Sequence, residues 1–214
     1  TGDSDKNTLK GLAGDDTLSG QGGNDYLDGG TGYDTASYVE KTVAVTVDFK
    51  TNEASTATET DTLVSIENAI GGSAKDTFIM NEDSVTNIID GQGDSDTVSY
   101  VNYTTNGVRI NLSTTAAQTI TTGDIDTIIN IENIIGSSKD DIFIGSSQSN
   151  SIEGGLGNDT FIAGTDLTND GSIESVDDGA DYFDGGLGTG DWADYSVIAD
   201  DANSSTNGIT LALD

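Results

Sequence analysis

The chain has 214 residues, with 38 Asp and Glu against 7 Lys and Arg, no His, Cys or Pro, and a formal charge of −31. Charge of that sign excludes a binder of nucleic acid, whose phosphates need clustered Lys and Arg, and it disfavours anionic membranes and polyanionic ligands unless a cation bridges them. Without Cys or His there are no disulfides, no thiolate or imidazole metal sites, and no Ser-His-Asp or cysteine-nucleophile chemistry.

Leu, Ile, Val and Phe make up about 22% of the chain, close to the limit of about 20% below which strong charge implies disorder. Thirty of the acids are Asp, so something must neutralise aspartates before a core this thin can hold. No apolar run approaches the ~20 residues of a membrane span, and no signal peptide opens the sequence. It reads as a segment of something larger.

The first element is a nine-residue ruler. Gly2, Gly11, Gly20 and Gly29 are evenly spaced, the sixth positions are Asn7, Asp16, Asp25 and Asp34, and the eighth are Leu9, Leu18, Leu27 and Ala36. Each unit reads as a glycine turn, an acid, and a strand of three residues with one inward apolar side chain. Such a strand is too short to stand alone and must stack on copies of itself ~4.8 Å away. Two units then make one coil of a flattened solenoid, which sets Asn7 over Asp25 and Asp16 over Asp34. Like charges a few Å apart cost on the order of 1–4 kcal/mol. A cation between them reverses the sign, and carboxylate and carbonyl oxygens select Ca²⁺ over softer metals.

These residues carry a resemblance. Gly29-Gly30-Thr31-Gly32-Tyr33-Asp34 and Gly154-Gly155-Leu156-Gly157-Asn158-Asp159-Thr160-Phe161-Ile162 resemble the GGxGxDxUx nonapeptide of the RTX (repeats-in-toxin) proteins, a known calcium-binding repeat. The resemblance implies an all-β parallel β-roll, with several Ca²⁺ ions held between stacked turns by position-six side chains and turn carbonyls. It also implies type I export, folding on calcium outside the cell, and a place in a secreted or surface-attached bacterial protein such as an adhesin. Departures are Asn7, which lacks a charge, and Leu12 and Gln21, which replace the second glycine; they predict a weak or frayed first coil.

A longer repeat follows. Asp34-Thr35-Ala36-Ser37-Tyr38 returns as Asp96-Thr97-Val98-Ser99-Tyr100 and loosely as Asp191-Trp192-Ala193-Asp194-Tyr195. Val45–Phe49 matches Val108–Leu112 and Ile209–Leu213 in strand-like alternation, and Asp61–Asn68 matches Asp126–Asn133. The nonapeptide resumes with Gly71 leading to Asp76, Gly91 to Asp96, and Gly136, Gly145 and Gly154 to Asp141, Asn150 and Asp159. Asp181 and Asp191 complete that set of candidate ligands. The expected division is a repeat block over 1–37, a linker cassette over 38–70, a block over 71–99, a cassette over 100–135, a block over 136–190 and the start of a third cassette over 191–214. Inward Val47, Ile66, Phe78 and Ile89 argue for one continuous solenoid with irregular coils; discrete globular linkers are the alternative.

Within the last block, an insertion over 165–178 places Asp166, Thr168, Asp170, Gly171, Ile173 and Asp177 at positions 1, 3, 5, 6, 8 and 12 of an EF-hand calcium loop. A solvated acidic excursion explains it equally well. Tyr38, Tyr100, Tyr195 and Trp192 read as edge packing, although an exposed Trp beside a calcium turn suits a sugar. Asp48 and Glu67 make an acid pair of the kind that arises freely among 38 acids. The leading expectation is a monomeric, calcium-dependent structural module with no catalytic residues, no nucleic-acid partner and no membrane insertion, in contact with neighbouring domains or a surface glycan. The rival is a carbohydrate-binding accessory module of a secreted polysaccharide-active enzyme. A lyase would need Lys10, Lys41, Lys75 or Lys139 gathered around Arg109, the only arginine.

Overall fold

A computed structural model describes residues 1–162, 181–188, 190–194 and the backbone of 210–212. Among them no helix is long and apolar enough to cross a membrane, and all regular structure is strand. The strands in chain order are β1 (Thr8–Ala13), β2 (Thr17–Leu18), β3 (Tyr26–Thr31), β4 (Thr35–Ser37), β5 (Thr46–Asp48), β6 (Glu53–Ser55), β7 (Thr60–Val64) and β8 (Asn68–Ile70). There follow β9 (Thr77–Ile79), β10 (Ile88–Asp90), β11 (Thr97–Ser99), β12 (Arg109–Asn111), β13 (Gln118–Thr121), β14 (Asp124–Ile129) and β15 (Asn133–Ile135). The last are β16 (Ile142–Ile144), β17 (Ser151–Glu153), β18 (Thr160–Ile162), β19 (Tyr182–Asp184), β20 (Trp192–Asp194) and β21 (Thr210–Ala212).

The nine-residue spacing sets the register. β1 pairs in parallel with β3, Leu9 opposite Leu27, and β2 with β4, Leu18 opposite Ala36, so one coil is two units long. The first sheet runs through the described chain in the order β1-β3-β7-β6-β5-β9-β11-β15-β17-β19-β21. Facing it are a second sheet, β13-β14-β10-β8-β4-β2, and a third, β12-β16-β18-β20. This is an all-β parallel β-roll.

Inward side chains stack into columns because every coil repeats the same in-out alternation. Val47, Phe78, Val98, Ile134, Ile152 and Phe183 are opposite one another along the first sheet, and all are buried. Ile110, Phe143 and Phe161 do the same in the third sheet. Phe161 stacks on Phe183 across the core at 5.4 Å between ring centroids. Each such side chain contributes roughly 1.5–3 kcal/mol of burial, available only once both neighbouring coils are in place.

The structure departs from a plain solenoid in two places. β6 lies antiparallel between β5 and β7, and β13 lies antiparallel to β14. Asn52 and Gly123, both in the left-handed region, turn the chain back at these points (φ 58° and 89°). The inserted strands are mostly polar, so alternation gave no sign of them. At the end of the second sheet the Gln118 side-chain amide acts as a peptide group. It accepts from Asn111 N–H at 2.7 Å and donates to the Asn111 carbonyl at 3.1 Å, joining β13 to β12.

Candidate metal centre

Each of the nonapeptide turns sets its position-six Asp or Asn immediately before a strand, and stacking sets these side chains one above another. The link between coils is a backbone N–H donating to the carboxylate of the following coil. On the first sheet Asn7 N–H donates to Asp25, Asp25 to Asp61, Val45 to Asp76, Asp76 to Asp96 and Asn150 to Asp181, at 2.7–2.9 Å. On the second, Asp16 donates to Asp34 at 2.8 Å. On the third, Val108 donates to Asp141, Asp141 to Asp159 and Asp159 to Asp191, at 2.7–2.9 Å. The expected stacking of Asn7 over Asp25 and Asp16 over Asp34 is present.

One oxygen of each carboxylate is thereby used, and the fate of the other decides what the turn can hold. Asp25, Asp34, Asp96 and Asp159 are at most 2% exposed, and the Oδ2 atom of each is buried without a hydrogen-bond partner. Asp16 Oδ2, on a half-buried residue, is in the same condition. An unpartnered buried oxygen on an ionised group is costly unless a cation faces it. Burial, reinforced by the neighbouring charges of Asp76 and Glu132, pushes the Asp96 carboxyl up to about 7. Burial with Asp141 and Asp191 does the same to Asp159.

Backbone oxygen stands close by. A Cβ built on Gly11 would lie 2.5 Å from the Gly29 carbonyl oxygen and 2.6 Å from Asp16 Oδ2, so only glycine fits between carbonyl and carboxylate. The carbonyls of Leu12 and Gly14 crowd Gly30 and Gly32, and those of Ser137 and Lys139 crowd Gly155 and Gly157. Among the described residues no three acidic side chains form a metal-binding group. A cation here would therefore draw on one or two carboxylates plus turn carbonyls, an all-oxygen set that suits Ca²⁺.

Two acids that no leading glycine marks belong to the same columns. Glu67 accepts the Asp34 N–H at 2.8 Å and Glu132 the Asp96 N–H at 3.0 Å, through Oε2. They follow Ser65 and Asn130, which carry positive φ (50° and 51°) and close a shorter, glycine-free turn. The extra methylene of Glu lets the carboxylate span it. The signal was the match of Asp61–Asn68 to Asp126–Asn133. Asp126, in this longer repeat, accepts Asn87 N–H at 3.1 Å.

The remaining candidates sort plainly. Glu67 is a backbone cap, and Asp48 caps its own turn by accepting from Lys50 and Thr51 N–H. Lys10 pairs with Asp28 at 2.9 Å and Lys41 with Glu59. Tyr38 and Tyr100 are buried and donate to Asp61 and Asp126 at 3.1 and 3.4 Å, which gives their fixed place a polar purpose beyond packing. Trp192 is exposed. Asp166, Thr168, Asp170 and Asp177 of the EF-hand-like insertion, and Tyr195, lie outside the described residues.

Residues 1–36 and 132–166 match the family described as the RTX calcium-binding nonapeptide repeat (4 copies). No curated protein matches the chain. Repeats of this family imply calcium binding, are typically structural, and occur in secreted bacterial proteins.

Proposed function

Because residues 1–36 and 132–166 are RTX calcium-binding nonapeptide repeats, we propose that the chain is a structural module of a secreted or surface-attached bacterial protein such as an adhesin, ordered by calcium after type I export. The observation that carries this is the set of buried carboxylate oxygens without partners at Asp16, Asp25, Asp34, Asp96 and Asp159. With neighbouring turn carbonyls, these residues would hold the ions, and Asp191 extends the third-sheet column. Bound calcium supplies the positive charge that lets stacked aspartates coexist. The chain's own residues do the rest: carboxylates cap the preceding coil, glycines admit the carbonyls, and inward apolar side chains bury one another.

In this reading the blocks over 1–37, 71–99 and 136–190 are the calcium-responsive parts, the intervening cassettes are coils of the same solenoid, and the module acts as a monomer that spaces or displays its neighbours. Where calcium is scarce, the −31 charge keeps the chain expanded and soluble. Calcium titration followed by circular dichroism and light scattering tests it. Cooperative gain of β-structure and compaction at millimolar Ca²⁺ is expected. A chain equally compact in chelator would overturn the reading.

A further inference from the structure

Among the described residues, nine glycine-led turns with their acid or amide at position six fall into two geometric classes, and residue two of each separates them. In one class residue two is in the left-handed region: Leu12 (φ 83°), Gln21 (68°), Gly30 (107°), Gln92 (71°) and Gly155 (102°). The position-six residues of these turns are Asp16, Asp25, Asp34, Asp96 and Asp159, each with a buried Oδ2 that has no partner. In the other class residue two is Asp3, Gly72, Ser137 or Ser146, none of them in the left-handed region. There the residue-two N–H donates to the position-six side chain of its own turn. Asp3 donates to Asn7 at 2.7 Å, Gly72 to Asp76 at 2.5 Å, Ser137 to Asp141 at 2.6 Å and Ser146 to Asn150 at 2.6 Å.

We propose that, of these nine turns, only the open ones, 11–16, 20–25, 29–34, 91–96 and 154–159, take calcium, and that turns 2–7, 71–76, 136–141 and 145–150 are closed by their own peptide N–H and assemble without an ion. The inference rests on the calcium-binding reading above and assigns that binding among the turns.

Two features of the sequence agree. Three of the four closed turns contain a lysine, Lys6, Lys75 and Lys139, whereas the five open turns contain no basic residue. Two closed turns carry Asn at position six, where one amide oxygen suffices to accept the N–H, and Asn150 uses its amide nitrogen to donate to the Glu132 carbonyl at 3.0 Å. Every open turn carries Asp, whose second oxygen is the one left over. In a closed turn the turn's own N–H lies against the position-six oxygen, on the side where an ion held within the turn would sit, and its partial positive charge repels a cation there.

The test counts ions on the intact chain by native mass spectrometry and follows calcium-induced folding by circular dichroism. Asp159→Asn and Asp34→Asn, in open turns, are expected to lose bound calcium and raise the folding midpoint by roughly tenfold or more. Asn150→Asp and Asn7→Asp restore the repeat's aspartate in closed turns and are expected to change neither. Gain of an ion by Asn150→Asp or Asn7→Asp, or an unchanged count in both Asp34→Asn and Asp159→Asn, overturns the assignment. A wild-type chain that takes up no calcium defeats the underlying reading instead, and the wild-type count separates the two failures.

Discussion

Leu12, Gln21 and Gln92 hold backbone conformations that L-residues with a Cβ adopt only at a cost of about 1 kcal/mol each. They sit where the repeat normally has glycine. Leu12→Gly or Gln92→Gly should therefore raise the stability of the calcium-loaded protein by about 1 kcal/mol, less what glycine loses in the unfolded chain. Urea denaturation at saturating calcium would measure it, and a destabilised Gln92→Gly would show that the turn is not strained. Gly11→Ala acts oppositely, because its Cβ meets the Gly29 carbonyl and the Asp16 carboxylate. It is expected to weaken calcium-induced folding at least as much as loss of the carboxylate itself, read from the same titration by circular dichroism.

Much of this scale was legible in the sequence. Position six was found because a fixed nine-residue spacing forces the acids into columns, and the inward places of Leu18, Leu27 and Ala36 followed from the same ruler. What Leu12 and Gln21 do was not legible. They read as departures that weaken the first turns, yet both keep the backbone shape of the glycine they replace. Side-chain identity records preference for a conformation, and here the stacked coil overrides that preference. Glu67 reads in the sequence only as half of an incidental acid pair, and Glu132 is not singled out, because the turns that carry them are shorter and have no glycine to mark them.

Among the elements, the β13–β14 hairpin is the most unlike a nonapeptide coil. It brings Asp124 and Asp126 under Tyr103 and Tyr100, whose hydroxyls donate to them at 2.5 and 3.4 Å, and the two rings meet edge to face at 5.1 Å. Burial first, then the charges of Asp124 and Asp83, pushes the Asp126 carboxyl up to about 7. Burial, with Asp83 and Glu82, pushes Asp124 up to about 6. An unfolded aspartate titrates near 3.9, so between about pH 4 and 7 the folded state binds more protons than the unfolded one. These two groups therefore add stability as pH falls through 7 towards 4, and subtract it as pH rises. Asp126→Asn should flatten that slope. Comparing urea midpoints at pH 5 and pH 7.5, in excess calcium, isolates the difference between variant and wild type. An identical slope in both would remove Asp126 from the account.

For the whole molecule, a solenoid's stability is close to a sum over neighbouring coils, so order should start where coils complete themselves most cheaply. The adjacent closed turns 136–141 and 145–150 need no ion in the proposed scheme, and they flank Ile134, Phe143 and Ile152 of the core. Three open turns in succession occupy 11–34. As calcium rises, amide protection should appear first in 136–162 and last in the N-terminal coils. Hydrogen exchange at graded calcium would follow it, and earliest protection in 11–34 would contradict the order. Phe143→Ala, which removes a fully buried ring from this region, should cost about 3–5 kcal/mol in a denaturant titration of the loaded protein.

The join made by Gln118 has a mechanical consequence. Hydrogen bonds between coils run along the stack, so tension applied along it loads the coils in series, and every interface bears the full force. Most interfaces share that force between two backbone ladders on opposite faces. Where the second sheet gives way to the third, among the described residues only the first sheet carries a ladder across, and the far face is joined by the two bonds of one side-chain amide. The stack should therefore yield first at that seam, parting between the coils of β14 and β16 while those on either side stay wound. Gln118→Ala should lower the force of the first rupture in a single-molecule pull and leave later events unchanged. Under load, the weakest link of the filament would be a single glutamine.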